Sequence, residues 1–255
     1  MALFITGDLH GRSYIGKLDR FRETFGGQLT KDDVLLVLGD FCVPWTSPAT
    51  DADRELIRKM DAFPWTTAFI DGNHENFDVL DALPSKRMFG ATVGRLSDSI
   101  YHLRRGRTYT ICGHRTLTMG GAISKDKDML RKAGSWWPQE VATEAQRKAC
   151  DRSVRANRDV DIVVTHAAPT RQLIEHARSC ETEWEPDEFN DWLQTHVADR
   201  VDFRQWFYGH MHDDRPWEAP YTPLMHVIYD VDSAFEGQLW GPGSLMDDWY
   251  PGEPF

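Results

Sequence analysis

Apolar residues in the first third of the chain form short continuous runs, separated by stretches in which they recur every three or four positions. Continuous runs of this length are typical of strands buried on both faces of a parallel sheet, and the wider spacing is typical of helices with one buried face. The predicted strands are 2–6, 34–38 and 66–70. The pattern therefore predicts the alternation of strands and helices found in α/β proteins.

The two helical stretches also have boundary signals. Gly26-Gly27 is expected to end the first helix, and Ser47-Pro48 is expected to begin the second, with Ser47 as the N-cap and proline in the first helical position. The predicted buried faces are Ile15, Leu18, Phe21 and Phe25 in the first helix, and Leu56, Ile57, Met60 and Phe63 in the second.

After about residue 85 the pattern changes to threonine, tyrosine and isoleucine around glycine turns, which predicts β-hairpins over 101–121. The arginine-rich segment 102–107 is interpreted as a solvated hairpin. Further strands are predicted at 161–166, 206–210 and 224–232, with a helix whose buried face is Phe189, Trp192, Leu193 and Val197. Because no repeat or linker interrupts the chain, we predict a single domain over 1–255, with 240–255 as an irregular tail.

Composition places the chain among ordinary globular proteins, with 41% hydrophobic and 27% charged residues. No apolar run reaches the length of a transmembrane helix, and the strand beginning at Ala2 leaves no room for a secretory signal. The 4 cysteines are scattered and form no CxxC motif, as expected for thiols in a reducing compartment. We therefore expect a cytoplasmic protein with no membrane partner.

The formal net charge of −11 restricts the possible partners. A protein that binds long duplex nucleic acid through its phosphates needs a basic stripe, and no run of lysine and arginine is long enough to provide one. A small phosphorylated substrate fits this charge better.

Polar side chains that can bind metals follow each of the main predicted strands. They are Asp8 and His10, Asp40, Asn73 and His74, His166, and His210 with His212. In open α/β sheets, functional sites gather outside the carboxyl ends of the strands, and oxygen and imidazole ligands suit transition metals. The sequence therefore predicts a metal site at the carboxyl ends of the strands, with the two histidines of GHMH as its last part.

The motifs GDLHG, GD, GNHE, TH and GHMH, in that order over residues 7–212, resemble those of the calcineurin-like metallophosphoesterase superfamily. Segment 120–138 resembles the corresponding segment of its bacterial and phage-type members. The resemblance implies a four-layer αββα sandwich, in which two mixed β-sheets pack together and helices cover the outside. It also implies a site for two divalent metal ions, with manganese favoured and iron, zinc, cobalt or nickel as alternatives.

The resemblance further implies a role for each motif residue. The first ion would be held by Asp8, His10, Asp40 and His212, and the second by Asp40, Asn73, His166 and His210. Asp40 would bridge the ions and the hydroxide between them would attack phosphorus. His74 would contact a phosphate oxygen or protonate the leaving oxygen, and Glu75 would orient ligands or backbone.

Two departures from the serine/threonine phosphatase branch bear on the substrate. This chain has GDFCVPW where that branch has GDxxDRG, and it has Asp71 where that branch has an arginine before GNHE. Because a guanidinium that could bind phosphate is replaced by an acid, the case for a dianionic monoester is weakened.

Segment 120–138 is the other distinctive stretch, with cations and flat rings close together, notably Lys125, Arg131, Trp136 and Trp137. It could receive a nucleotide, with a ring stacking on the base, or the tryptophans could simply anchor a long loop in the core. The leading hypothesis is a phosphodiesterase that acts on a nucleotide or another small phosphodiester. A phosphomonoesterase or protein phosphatase is the alternative, and a non-catalytic interaction module is the third hypothesis.

Overall fold

The computed structural model describes residues 1–180, 184–214 and 220–232. Within them, two mixed sheets pack face to face and helices cover their outer faces, which confirms the predicted α/β sandwich. The predicted tail, 240–255, lies outside the described residues, and the single domain over 1–255 stays a prediction.

Counted over the described residues, the two sheets have 7 and 5 strands, and the order in the first is β12-β1-β2-β3-β6-β5-β4. Strands β1, β2, β3 and β6 run parallel, and β12, β5 and β4 add antiparallel pairings at the two sides. The strands are β1 (Leu3–Thr6), β2 (Val34–Leu38), β3 (Thr66–Ile70), β4 (Ser85–Met88), β5 (Ala91–Arg95), β6 (Ile100–Leu103) and β12 (Ile228–Asp230).

The second sheet has 5 strands in the order β11-β10-β9-β8-β7. The pairs from β8 to β11 are parallel, and β7 joins β8 as an antiparallel hairpin. The strands are β7 (Arg107–Ile111), β8 (His114–Met119), β9 (Asp159–Thr165), β10 (Asp202–Tyr208) and β11 (Tyr221–Pro223).

The helices form the two outer layers. Those along the first sheet are α1 (Ile15–Phe25), α2 (Asp51–Asp61) and α3 (Phe77–Ala82). Those beside the second are α5 (Glu144–Ala156), α6 (Thr170–Cys180) and α7 (Glu188–Leu193), and a short helix, α4 (Lys127–Ala133), lies in the segment after β8. A π-helical turn, Gln194–Ala198, follows α7 and includes the predicted position Val197.

The core has three parts that match the four layers. The central part lies between the sheets and contains residues of both, such as Leu36 and Val164. The second part lies between the first sheet and its helices, with Leu18 and Met60 among its members. The third lies between the second sheet and its helices, and it includes Leu173 and Phe189.

The second helix begins later than predicted. Its N-cap is Thr50, whose side chain accepts a hydrogen bond from the Asp53 backbone N–H while the Asp53 carboxylate accepts one from the backbone N–H of Thr50. This reciprocal capping box satisfies two backbone donors, so it defines the helix start more strongly than Ser47-Pro48. The predicted strand 224–232 is also too long, because only Ile228–Asp230 pairs as a strand.

The prediction of a solvated hairpin over 102–107 is wrong. This segment crosses from β6 in the first sheet to β7 in the second, and both His102 and Arg105 are buried. Their partner is Asp71, whose carboxylate forms an ion pair with Arg105 and lies 2.9 Å from His102 Nε2. Burial raises the pKa of Asp71, but Arg105 and His102 outweigh it and hold the pKa well below its usual range.

None of the helices in the described ranges is both long enough and apolar enough to cross a bilayer.

Candidate metal centre

The predicted ligands all lie just beyond strand ends, in loops at one edge of the two sheets. Asp8, Asp40 and Asn73 follow β1, β2 and β3 of the first sheet, whereas His166 and His210 follow β9 and β10 of the second. Because these strands are parallel within each sheet, their carboxyl ends meet at the same edge. The site is therefore assembled from both halves of the sandwich.

The loops that carry these ligands have an unusual backbone. His10, Asp40, His210 and His212 have φ angles of +45°, +44°, +64° and +50°, in the left-handed region that side chains rarely adopt. Such conformations cost about 1–3 kcal/mol each and persist where the surroundings impose them. His210 and His212 therefore face one neighbourhood because of the loop geometry after β10, and not because they share a strand face.

Two glycines allow the loops to approach one another. A Cβ at Gly72 would collide with the backbone and carboxylate of Asp40, and one at Gly209 would collide with the Asp8 carboxylate. Any side chain at either position would push a proposed ligand away.

One group of ligand atoms is formed by Asp8, His10 and His212. Asp8 Oδ2 lies 3.1 Å from His212 Nε2 and 3.8 Å from His10 Nε2. The two imidazole nitrogens are 3.3 Å apart. Two lone pairs at this distance repel, so a proton or a cation is needed between them.

A second group surrounds His166. Its Nδ1 donates to the carbonyl oxygen of Leu38 at 2.7 Å, so Nε2 is the nitrogen that faces the other proposed ligands. His166 Nε2 lies 3.4 Å from Asp40 Oδ1 and 3.0 Å from Asn73 Oδ1. The His210 ring lies beside it, with ring centroids 5.0 Å apart.

Asp40 lies between the two groups. Its Oδ1 faces His166, as described above, and its Oδ2 lies 3.7 Å from His10 Nε2. Within the described ranges, the buried Oδ2 atom of Asp40 accepts no hydrogen bond. Buried carboxylate oxygens normally have a partner. This orphaned oxygen, together with the converging imidazoles, fits the divalent cations that the sequence predicted.

The charges of the site also fit metal binding. Burial raises the pKa of the Asp8 and Asp40 carboxyls, but His166 and the other imidazoles outweigh it and hold both pKa values below their usual range. Burial lowers the pKa of His210 to about 3 and also lowers the pKa of His10. The carboxylates are therefore anionic and these imidazoles neutral, which are the forms that bind metals.

His74 and Glu75 follow the ligand Asn73 directly. The His74 backbone N–H donates to Asp40 Oδ1 at 2.8 Å, and its half-buried ring lies 6.0 Å from the ring of His10. The buried Glu75 carboxylate accepts backbone N–H groups of Phe41, Cys42 and Gly72 at 2.8, 2.9 and 3.2 Å. Glu75 therefore ties the loop after β2 to the loop after β3, although burial and Asp40 raise its pKa well above the usual value.

Sequence reasoning did not identify Lys17, on α1, as part of the site. Its Nζ donates to the carbonyl oxygens of Gly7, Asp8 and Met225 at 3.0, 2.7 and 2.6 Å. Burial lowers its pKa to about 8, against the attraction of Asp8 and Asp214. These three hydrogen bonds link the loop that carries Asp8 to the segment before β12.

Sequence reasoning also did not identify Ser124 and Glu140, both buried, which connect segment 120–138 to a proposed ligand. The Asn73 side-chain Nδ2 donates to Ser124 Oγ at 3.0 Å, and Ser124 Oγ donates to Glu140 Oε2 at 2.6 Å. With its amide nitrogen held in this way, Asn73 turns its oxygen toward His166. The two residues lie 16 positions apart, before and after α4, so no periodic pattern marks them.

The residues predicted for substrate binding have different surroundings. Trp137 donates its indole N–H to Asp78 Oδ2 at 2.9 Å and packs against the first sheet's helical core, as an anchor does. Trp136 is half-buried, with Arg131 4.1 Å from its ring centre. Lys125 Nζ lies 3.7 Å from the ring centre of Trp184.

Trp184 connects Lys125 to the proposed ligands, and no sequence pattern marks it. Its ring meets the ring of His210 edge to face, with centroids 5.2 Å apart. Of the predicted substrate residues, Lys125 is therefore the one with a described chain of contacts to the metal centre.

Asp71, the acid at the position of the arginine before GNHE, is buried and already paired. Its side chain is 1% exposed and is engaged by Arg105 and His102 beneath the loop after β3. Its negative charge therefore does not argue against a dianionic substrate.

His114 lies 3.1 Å from Asp232, beside β12.

Comparison with protein families gives one match over most of the chain. A family described as calcineurin-like phosphoesterase matches residues 1–214, a range that includes every predicted ligand up to His212. No curated protein matches the chain.

Proposed function

The chain belongs to the calcineurin-like phosphoesterase family, a family of metal-dependent hydrolases, and from this we propose that it hydrolyses a phosphodiester with two divalent ions. The observation that supports the proposal most directly is the position of Asp40. One of its oxygens faces His166 and the other faces His10, as a carboxylate shared by two cations would. We also propose that it belongs to the bacterial and phage-type branch, which segment 120–138 resembles.

We propose the ligand sets that the resemblance implied. Asp8, His10, Asp40 and His212 hold the first ion, and Asp40, Asn73, His166 and His210 hold the second. All donors are nitrogen or oxygen, which suits manganese, and also iron, zinc, cobalt or nickel. When bound, two such ions lower the pKa of a water between them and offset the charge of the phosphoryl group.

The other residues hold and direct the reacting groups. Glu75 keeps the loops after β2 and β3 together and so fixes Asp40 relative to Asn73. The half-buried ring of His74, next to Asn73, is the proposed acid that delivers a proton to the leaving oxygen. Lys125, beside Trp184 and His210, is a proposed contact for a second phosphate of a small cytoplasmic substrate such as a nucleotide.

Hydrolysis of two model substrates tests the proposed function. The full chain loaded with Mn²⁺ is expected to hydrolyse bis-p-nitrophenyl phosphate faster than p-nitrophenyl phosphate, measured as kcat/KM from nitrophenolate release. The reverse order would support the alternative, a phosphomonoesterase, for which the buried position of Asp71 leaves room. No hydrolysis of either substrate by the loaded protein, or of a panel of cyclic and linear nucleotides, would support a non-catalytic module.

We also propose that Ser124 positions a ligand of the second ion. Ser124→Ala removes the hydroxyl that accepts a hydrogen bond from the Asn73 amide. The affinity for that ion should then fall about 10–100-fold, the usual effect of removing a residue that hydrogen-bonds to a metal ligand. Calorimetric titration with Mn²⁺ should show a weaker second ion and an unchanged first ion.

The matched control is Ser135→Ala, in the same part of the chain, where the hydroxyl contacts the carbonyl oxygen of Leu130. It should bind both ions as the wild type does. Equal affinities in Ser124→Ala and wild type would contradict the positioning role, whatever the substrate.

A further inference from the structure

A second cluster of potential ligands lies outside the proposed phosphoesterase centre. His176 and Cys180 are four residues apart on α6 and therefore share one helix face. Asp213, in the loop after β10, brings its carboxylate to the same place, and the three ligand atoms lie within 4.8 Å of one another. We propose that His176, Cys180 and Asp213 form a separate site for one transition-metal ion, which we call the thiol site.

The distances are those of a site that needs little adjustment. Asp213 Oδ2 lies 3.8 Å from His176 Nδ1 and 3.7 Å from Cys180 Sγ. Zinc–ligand distances of about 2.0–2.3 Å in a tetrahedron place neighbouring donor atoms about 3.3–3.8 Å apart. The two Asp213 distances lie at the upper end of this range, and the ligand atoms of His176 and Cys180 lie within 4.8 Å, so side-chain movements alone would close the set around an ion.

The donor types select the kind of ion. Thiolate, imidazole and carboxylate together suit zinc or cobalt, whereas magnesium and calcium prefer oxygen ligands alone. His176 is 3% exposed, while Cys180 and Asp213 are half-buried. The protein thus supplies three ligands from one side, and the half-buried side is where water would complete the coordination.

The thiol site lies next to the proposed phosphoesterase centre along the chain. Asp213 directly follows His212, a proposed ligand of the first ion, and α6 belongs to the outer helical layer. An ion at the thiol site would fasten the loop that carries His210 and His212 to α6. The thiol site is thus a structural site beside the reactive one, with no ligand in common.

Cobalt spectroscopy distinguishes the thiol site from the phosphoesterase centre. Co²⁺ bound by a thiolate has a sulfur-to-cobalt charge-transfer band in the near ultraviolet, and none of the ligands proposed for the phosphoesterase centre is a cysteine. Titration of the reduced full chain with Co²⁺ should therefore produce this band, with a final intensity that corresponds to one thiolate-bound ion per chain. Zn²⁺ should then abolish it.

Variants assign the band to its residues. Cys180→Ser should lose it, and Asp213→Asn should retain the thiol but bind Co²⁺ at least about tenfold more weakly. The control is Cys112→Ser, since the half-buried thiol of Cys112 donates a hydrogen bond to the carbonyl oxygen of Ala2. This variant should keep the band unchanged. Circular dichroism establishes that each variant is folded.

Absence of the band in the wild type would overturn the proposal and leave Cys180 as a hydrogen-bond donor to Asp213. Persistence of the band in folded Cys180→Ser would do the same. Neither result depends on whether the protein hydrolyses a phosphodiester, because the band is read without substrate.

Discussion

Asp40→Asn is expected to lower the turnover of a phosphodiester by several orders of magnitude and to weaken the binding of one of the two ions. The substitution removes the negative charge from the carboxylate that faces both ligand groups. Two-metal chemistry needs both cations held close together, so the loss of the bridge affects rate and metal content together.

The fold should survive this change. Asparagine has nearly the same shape, and its side-chain oxygen can still accept the backbone N–H of His74. Burial and repulsion from Asp8 raise the pKa of Asp40, but His166 and the other imidazoles outweigh them and hold it below its usual range, so without metals the variant loses a net favourable interaction. Its thermal midpoint in the presence of a chelator should therefore be slightly lower than that of the wild type, with unfolding still cooperative.

The measurements are kcat with bis-p-nitrophenyl phosphate, elemental analysis after metal loading, and thermal unfolding. Asp161→Asn is the matched control, since this half-buried aspartate on β9 accepts a backbone N–H from Arg115 outside the site. It should leave kcat and metal content unchanged. Wild-type turnover in Asp40→Asn would show that Asp40 is not the bridge.

His74→Asn is expected to separate chemistry from metal binding. A positioned acid contributes about 10²–10⁴-fold to rate, so kcat should fall in this range while two ions remain bound. The fall should be largest for a diester with an alkoxide leaving group, which needs a proton, and smallest for p-nitrophenolate, which leaves readily.

The experiment compares kcat for aryl and alkyl esters in His74→Asn and in the wild type, with metal content measured in parallel. His114→Asn, at the histidine paired with Asp232, is the control and should behave as the wild type. Equal losses for both leaving groups would remove the acid role and leave charge neutralisation. Loss of an ion would mean that His74 is itself a ligand.

The residues that converge at the candidate centre could be proposed from the sequence because they are encoded locally. Each buried apolar run marks a strand, and the residue types directly after it, such as Asp40 after β2, are visible without any tertiary information. The edges of elements were less predictable. Thr50 replaced Ser47 as a helix cap because a reciprocal pair of hydrogen bonds to Asp53 decided the boundary.

The residues that support the ligands could not be predicted in this way. Ser124, Glu140 and Lys17 act through contacts between segments distant in sequence, and a serine or a lysine in isolation has many unremarkable roles. Arg105 was misassigned for the same reason. An arginine in a basic hexapeptide suggests exposure, and the buried carboxylate of Asp71, just after β3, explains its burial.

Because the proposed ligands come from both sheets, bound ions would cross-link the two sheets. A chain in which each sheet has formed but the two have not docked has only half of the ligands, so tight metal binding would report the docking itself. Ions that bind the native chain alone stabilise it by about 2.7 kcal/mol at a hundredfold excess over Kd. Metal supply during synthesis would then influence how much of the chain completes its tertiary structure, as well as how fast the finished enzyme turns over.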